Sequence, residues 1–353
     1  MFLYMSHTLL SYIGVQPSSK GVCPMFRDLL FPIIYGLVIF LAGMKLMETA
    51  LSKLAGPLLI TSLNKATSTP IKGLIASSIL SALLQSSSAV TVLTIGMVNA
   101  GLLTYARTLG IILGSNIGTT LTTELIGLQI NSMATPLLAA SLSLWAAAVI
   151  VGELPPYTSQ VASLCQKISG PLQFISLAIS GFALVLWGIA VMQSIGPTLQ
   201  ESGLFLWFLD HAATSALWGI AAGACLTALL HSSAAVIAMA MGIAASGAMP
   251  PELGIAIVLG ANVGTCLTAV IASIGGSSSG VFVAWSHVAL NVGGVLLFLP
   301  MIGPLQATVA WMGGGPPTQI AHAQTIFNVV CSLIALPLCY LPIWSRLEKR
   351  LQS

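Results

Sequence analysis

Gln85-Ser86-Ser87-Ser88 lies inside an otherwise apolar stretch running from Gly73 to Val98. Lipid would leave these hydrogen-bonding side chains without partners, so the tetrad implies a bound species or a protein-lined cavity at that point. The pattern returns 146 positions later as His231-Ser232-Ser233-Ala234. At the same offset Gly114-Ser115-Asn116-Ile117-Gly118-Thr119-Thr120 falls on Gly260-Ala261-Asn262-Val263-Gly264-Thr265-Cys266. Between positions 80 and 123, 18 of 44 residues equal their counterparts without a gap, and the matches include Ser, Gly, Asn and Thr. Shared apolar composition does not produce polar identities, so the chain is an internal duplication.

Of 353 residues 56% are hydrophobic and 5% charged, too few charges to solvate the surface of a globular fold of this size. The chain therefore belongs in a bilayer, crossed by apolar helices of about 20 residues. Alternating segments of about ten residues, the mark of a membrane β-barrel, are absent. The net charge of +3 and the scatter of the eleven Lys and Arg exclude nucleic acid as a partner. Cys23, Cys165, Cys225, Cys266, Cys331 and Cys339 show no C-x-x-C spacing, and neither a disulfide framework nor a zinc site is expected. The apolar patch Met1 to Val15 is too short to span and lacks the basic start of a signal peptide.

Read in order, the chain divides into an N-terminal segment 1–29, a first repeat 30–152, a connector 153–171, a second repeat 172–300, and a part 301–353 with an extra transmembrane helix and a basic tail. Each repeat opens with a span, Leu30 to Leu51 and Leu172 to Gln193. A hairpin follows, Gly73 to Val98 and Ala212 to Ser246, its half-helices reaching only about 16 Å each and so entering and returning without crossing. Next comes a span expected to be unwound around its glycines, holding Gly114 to Thr120 in one repeat and running from Leu253 to Ile274 in the other. Thr135 to Val151 and Val281 to Pro300 close the repeats, and Gln319 to Ile343 forms the last span.

Lys53, Lys65 and Lys72 follow the first span, whereas the equivalent loop Ser194 to Ala212 carries Glu201 and Asp210 and no Lys or Arg. Basic loops face the cytoplasm, so the repeats should lie upside down to one another. The expected fold is an all-α polytopic membrane protein of two inverted-topology repeats, each with a re-entrant helical hairpin and a broken transmembrane helix, in the cell membrane.

Inverted repeats with paired broken segments are the plan of secondary transporters. At a hairpin tip the second half-helix begins, and its free N–H groups and positive dipole end favour an anion. Hydroxyls of Ser86, Ser87, Ser88, Ser232 and Ser233 both donate and accept, which suits a tetrahedral oxyanion. Carbonyls of Gln85, Asn116 and Asn262, hydroxyls of Thr119, Thr120 and Thr265, and neutral His231 suit a small hard cation. Glu124, His322 and Asn328 are further candidates, the carboxylate because an ionisable group at membrane depth is functional by default. Gly114, Gly118, Gly260 and Gly264 also suit tight helix crossings, and Lys45 with Glu48 a simple ion pair. An intramembrane serine hydrolase is the rival class, but no G-x-S-x-G elbow occurs and the serines come as a duplicated pair. No G-x-x-x-x-G-K-[ST] loop is present for ATP.

The doubled serine element, the Gly-x-Asn-x-Gly-Thr element and His-x-x-x-x-Phe-Asn at His322 to Asn328 resemble the recurring motifs of the type II sodium/phosphate cotransporter family. His287 to Asn291 looks like a shortened echo of the last. The resemblance spans about Gly36 to Pro342 and implies sodium-coupled symport of inorganic phosphate, with phosphate and sodium as partners, no cofactor beyond the coupling ion, and no enzymatic activity. Some bacterial members carry a soluble domain after the membrane part, and none is expected before Ser353. Two departures matter: His231 stands where the family pattern has Gln, and Ala234 where it has the third Ser. They put the sodium stoichiometry in question.

Overall fold

The computed structural model describes residues 26–55, 67–153 and 159–352. The patch Met1 to Val15, most of the lysine-bearing loop and the start of the connector lie outside them. All regular structure among the described residues is helical. After a wide turn at Phe26–Leu30, the first repeat holds α1 (Phe31–Ala55), α2 (Pro70–Leu84), α3 (Ser87–Asn99), α4 (Tyr105–Gly127) and α5 (Ala134–Glu153). Then follow α6 (Ser159–Gln193), α7 (Gly196–Gln200), α8 (Gly203–Thr214), α9 (Leu217–Leu230), α10 (Ser233–Ala245), α11 (Pro251–Ser273) and α12 (Ser278–Phe298). The chain closes with α13 (Ile302–Met312), α14 (Pro316–Ala335) and α15 (Ile343–Gln352).

Among the described residues six segments have the length and hydropathy to cross a membrane: Arg27–Ala55, Asn131–Glu153, Lys167–Gln193, Pro251–Ser273, Ser278–Met312 and Pro316–Tyr340. α4 has the length, 23 residues, but is more polar. Outward faces are apolar, as lipid requires: Ile71, Ile75, Ile79 and Leu83 recur at every fourth position of α2 and are all exposed. The chain is a multi-pass membrane protein.

Close packing here depends on small residues, because apolar side chains gain nothing from leaving lipid. In α1 the buried face is Gly36, Phe40, Gly43, Met47 and Ala50, spaced by four and three. A Cβ on Gly36 would meet Gly188 O at 2.9 Å, and one on Gly43 would meet Gly181 O at 2.6 Å. Rising numbers in α1 meet falling numbers in α6, so the two run antiparallel. α5 packs on α6 through Ser141 Oγ and Ser180 Oγ at 2.8 Å and a bond from Ser169 Oγ to Ala148 O.

A second device packs α2 on α4, and again α9 on α11. Cβ atoms built on Gly114 and Gly118 would lie 2.0 Å from Leu74 O and 2.3 Å from Ser78 O, so these two helices run parallel. One duplication later, Gly260 meets Ile220 O at 1.9 Å and Gly264 meets Ala224 O at 2.5 Å. This corrects the expected broken helices: α4 and α11 run uninterrupted through Gly114 to Thr120 and Gly260 to Cys266. The glycines serve approach of a neighbouring backbone, and their φ angles stay helical, so the chain has no reason to unwind.

Other boundaries shift less. α6 starts inside the expected connector and carries Pro171 within it, and α7 and α8 occupy a stretch read as loop and hairpin arm. Each hairpin consists of two short helices, of 15 and 13 residues in the first and 14 and 13 in the second, joined by a two-residue break. At about 20 Å apiece each is shorter than the hydrocarbon core is thick.

The second arms form the centre. α10 is buried nearly all round, Ala234 to Ala238 packing with Ile126 of α4, Ile189 of α6, Val258 of α11 and Ala321 of α14. α3 packs with Tyr105 and Ile111 of α4, Ala269 of α11 and Val283 of α12. Lys45 Nζ and Glu48 Oε2 form the expected pair at 3.1 Å, but Lys45 is mostly exposed and the pair adds little stability.

Gly114→Ala and Gly260→Ala should each lower stability by about 1–3 kcal/mol or more, since the methyl collides with a backbone carbonyl. Gly96→Ala in α3, where a Cβ meets nothing within 4 Å, should be neutral or stabilising. Thermal unfolding in detergent checks all three.

Candidate functional site

The two tips have the same backbone. Gln85 ends α2 in the left-handed region at φ 55° and ψ 28°, and His231 ends α9 there at φ 53° and ψ 26°. The next residue is an extended serine, Ser86 at φ −151° and Ser232 at φ −147°, that caps the following helix. Ser86 Oγ accepts from Ala89 N and Ser232 Oγ from Ala235 N, both at 3.2 Å. Each cap satisfies one of the donors that start a helix, leaves its own O–H free to donate, and leaves the first amides of α3 and α10 facing the break. No Lys or Arg lies within either tetrad. Ser87 is buried, and Ser86, Ser88, Ser232 and Ser233 are partly buried.

Side chains distinguish the tips. Gln85 is buried, donates from Nε2 to Ala82 O, and accepts from Thr122 Oγ1 of α4 at 2.5 Å. His231 is exposed. Among the described residues no direct hydrogen bond joins one tip to the other.

The other cation candidates lie on unbroken helices. Thr119 Oγ1 donates to Ser115 O at 2.9 Å, Thr120 Oγ1 to Ile117 O at 2.8 Å, and Thr265 Oγ1 to Ala261 O at 2.9 Å. Such back-bonding occupies each hydroxyl's hydrogen and leaves its oxygen able to accept. Asn116 Nδ2 donates to Asn291 Oδ1 of α12 at 3.3 Å, whereas Asn262 Nδ2 donates to Val258 O within α11 at 2.8 Å. Both keep an amide oxygen for a cation.

Glu124, His322 and Asn328 lie where α14 packs against α4. His322 Nδ1 sits 2.9 Å from Glu124 Oε2 and 3.1 Å from Oε1, and Thr325 Oγ1 donates to Oε1 at 2.5 Å. Asn328 is buried on α14 with its Nδ2 unpartnered.

Reading the sequence missed Thr122, Thr325 and Asn291 as functional neighbours. Thr122 has a signal, since it is identical to Thr268 at the duplication offset, and Asn291 closes the motif echo begun at His287. Thr325 has none: its partner is about 200 positions away, and only packing brings them together.

Six apolar helices of membrane length surrounding paired polar tips define a polytopic membrane protein of the transporter class. A family profile described as Na+/Pi-cotransporter matches residues 39–194 and again 184–330, and the chain belongs to that family. It is a transporter and not an enzyme. The YqeW protein of Bacillus subtilis (strain 168) is 34% identical over 303 residues, which is 86% of this chain and 92% of that protein. YjbB of Escherichia coli (strain K12), named for inorganic phosphate export, is 23% identical over 309 residues, 87% of this chain and 53% of YjbB. Sodium-dependent phosphate transport protein 2A of Rattus norvegicus is 33% identical over 103 residues, 28% of this chain and 16% of the rat protein. The chain thus spans most of the Bacillus relative and about half of the Escherichia coli one. No solved structure gives a significant match.

Ser86→Ala and Ser232→Ala should each cost about 1 kcal/mol through the lost cap, and the Gly substitutions only a few tenths, since Gly is tolerated at that position. Thermal melts of the four variants test this.

Proposed function

We propose that the chain is a sodium-coupled symporter of inorganic phosphate in the cell membrane, working by alternating access between two inverted repeats whose hairpins are re-entrant. The observation that carries this reading is the repeated tip: a left-handed residue, then a capping serine, then a helix N-terminus. Amide N–H groups, the dipole of α3 or α10, and hydroxyls supply donors to a tetrahedral oxyanion without any fixed positive charge. Sodium, held by the oxygens of Gln85, Asn116, Thr119, Thr120, Asn262 and Thr265 and by His231, offsets the anion's charge. Ser86, Ser87, Ser88, Ser232 and Ser233 bind phosphate in this scheme.

Inversion has its own support. Gly36 of α1 lies against Gly188 and Gly43 against Gly181, and an offset of 145 relates Gly36 to Gly181 and Gly43 to Gly188. Such reciprocal contacts follow from a two-fold relation between α1 and α6, whose antiparallel course is that of upside-down repeats. The exchange of α3 toward α11 and of α10 toward α4 follows the same relation. Half-helices too short to cross favour re-entry.

The name of the Escherichia coli relative favours a second reading, in which phosphate leaves the cell. Flux measured in both directions across proteoliposomes of known orientation separates the two. Labelled phosphate uptake should depend on an inward sodium gradient, and equal uptake with potassium or choline in place of sodium would remove the coupling from the proposal. Ser86→Gly and Ser232→Gly, which spare the caps, should reduce uptake at least tenfold if each hydroxyl contributes a charge-assisted hydrogen bond to phosphate, about 1.5–3 kcal/mol. Normal uptake by both variants would exclude the serines as ligands. Single cysteines at Lys72 and Glu201 should react with an impermeant reagent from opposite sides.

A further inference from the structure

Glu124 falls outside the duplicated machinery. Its counterpart 146 positions later is Val270, so whatever it does, one repeat alone does it. It lies one turn from the C-terminal end of α4, and its side chain is 28% exposed against 26% for His322. The carboxylate meets two side chains, His322 Nδ1 at 2.9 Å and Thr325 Oγ1 at 2.5 Å.

Polar groups continue inward from this cluster. On α4, Asn116, Thr120 and Glu124 recur at every fourth position and share a face. α14 runs antiparallel to it, tied by Thr318 Oγ1 to Gly127 O at 2.7 Å at one end and by Ser332 Oγ to Leu113 O at 3.1 Å at the other. Between these ties lie Thr325 and, one turn on, Asn328. Asn328 is 2% exposed with Nδ2 unpartnered, and Gln324 is 1% exposed with Oε1 unpartnered. A buried amide group without a partner costs about 1–3 kcal/mol, so α14 carries unmet polar groups within a turn of Thr325. At its far end Asn116 joins Asn291.

Charge decides what the cluster takes. With a neutral imidazole donating from Nδ1, Glu124, His322 and Thr325 together carry one negative charge. One sodium ion on the carboxylate brings the total to zero, and a second cation would make it positive. Both charged totals are disfavoured among apolar helices, so the cluster is suited to one monovalent cation at a time. Neighbouring helices do not supply that charge. α3, α10 and α13 carry no titratable side chain, and Lys72, Tyr105, Arg107, Arg346, Glu348, Lys349 and Arg350 belong to the opposite end of α4. Glu252 is exposed in the first turn of α11, and His287 and Cys266 are buried on α12 and α11.

We propose that Glu124, His322 and Thr325 form a binding site for one sodium ion at the end of the α4–α14 seam and separate from the serine tips. Any role in coupling rests on the transport reading above, but binding itself does not. The test follows thermal unfolding of the purified chain in detergent against two titrants: sodium chloride balanced with choline chloride, and inorganic phosphate. Glu124→Gln should weaken the stabilising effect of sodium about tenfold or more, the weight of one lost charged ligand. Glu124→Asp keeps the charge and withdraws it by one methylene, so it gives a weaker form of the same result should Glu124→Gln not fold. The proposal is overturned if these variants melt lower but keep the wild-type sodium titration, the behaviour of a plain helix-to-helix ion pair. Phosphate separates the two ideas. Loss of the cation effects with phosphate stabilisation intact supports the site, whereas a wild type that responds to cations and not to phosphate keeps the site and sinks the phosphate reading.

Discussion

Hydrocarbon offers no hydrogen bonds, so a helix can stop inside a membrane only where the chain itself satisfies the exposed amides. This protein breaks an apolar helix twice, in the same way each time. A residue other than glycine is forced into the left-handed region, at a cost of about 1–2 kcal/mol, and the serine after it turns back to cap the next helix. In the first tip Gln85 adds a bond to Ala82 O and another from Thr122. In the proposed scheme the unpaired amides that remain would bind an acceptor-rich solute, so the structural strain and the proposed function share one origin.

Around the tips, glycine contacts set the distances. Each first hairpin arm lies directly on the backbone of the long helix that comes after its hairpin, through Gly114 on Leu74 and Gly260 on Ile220. With no Cβ between them, the arm and the helix are a single rigid unit. The second arms, α3 and α10, have no such seam and pack into the middle of the molecule against helices of both halves. An alternating-access movement in the proposed scheme would therefore be carried at the surfaces of α3 and α10.

Equivalent positions have drifted apart in chemistry. Gln85 is buried and bonded while His231 is exposed, Thr120 is matched by Cys266, and Glu124 by Val270. The duplicated backbone is kept by geometry that both halves need, whereas the side chains proposed to meet the solute and ions differ. Charge is concentrated in the first half, where α14 brings His322 to Glu124.

Duplication, membrane class, helix content, the hairpin breaks and the serines at them were all legible in the sequence, because each depends on local pattern: an apolar run, a repeat offset, a polar interruption. The family motifs at Gly114 and Gly260 were legible too, but not their purpose. A glycine suits unwinding and close packing equally well, and only the position of a neighbouring carbonyl, 2.0 Å from a hypothetical Cβ at Gly114, decides for packing. Thr122 with Gln85, Asn116 with Asn291, and Glu124 with His322 and Thr325 were likewise decided by tertiary structure. Their partners stand 37, 175, 198 and 201 positions apart. Local pattern names the groups that need a partner, and three-dimensional packing alone selects which partner each one meets.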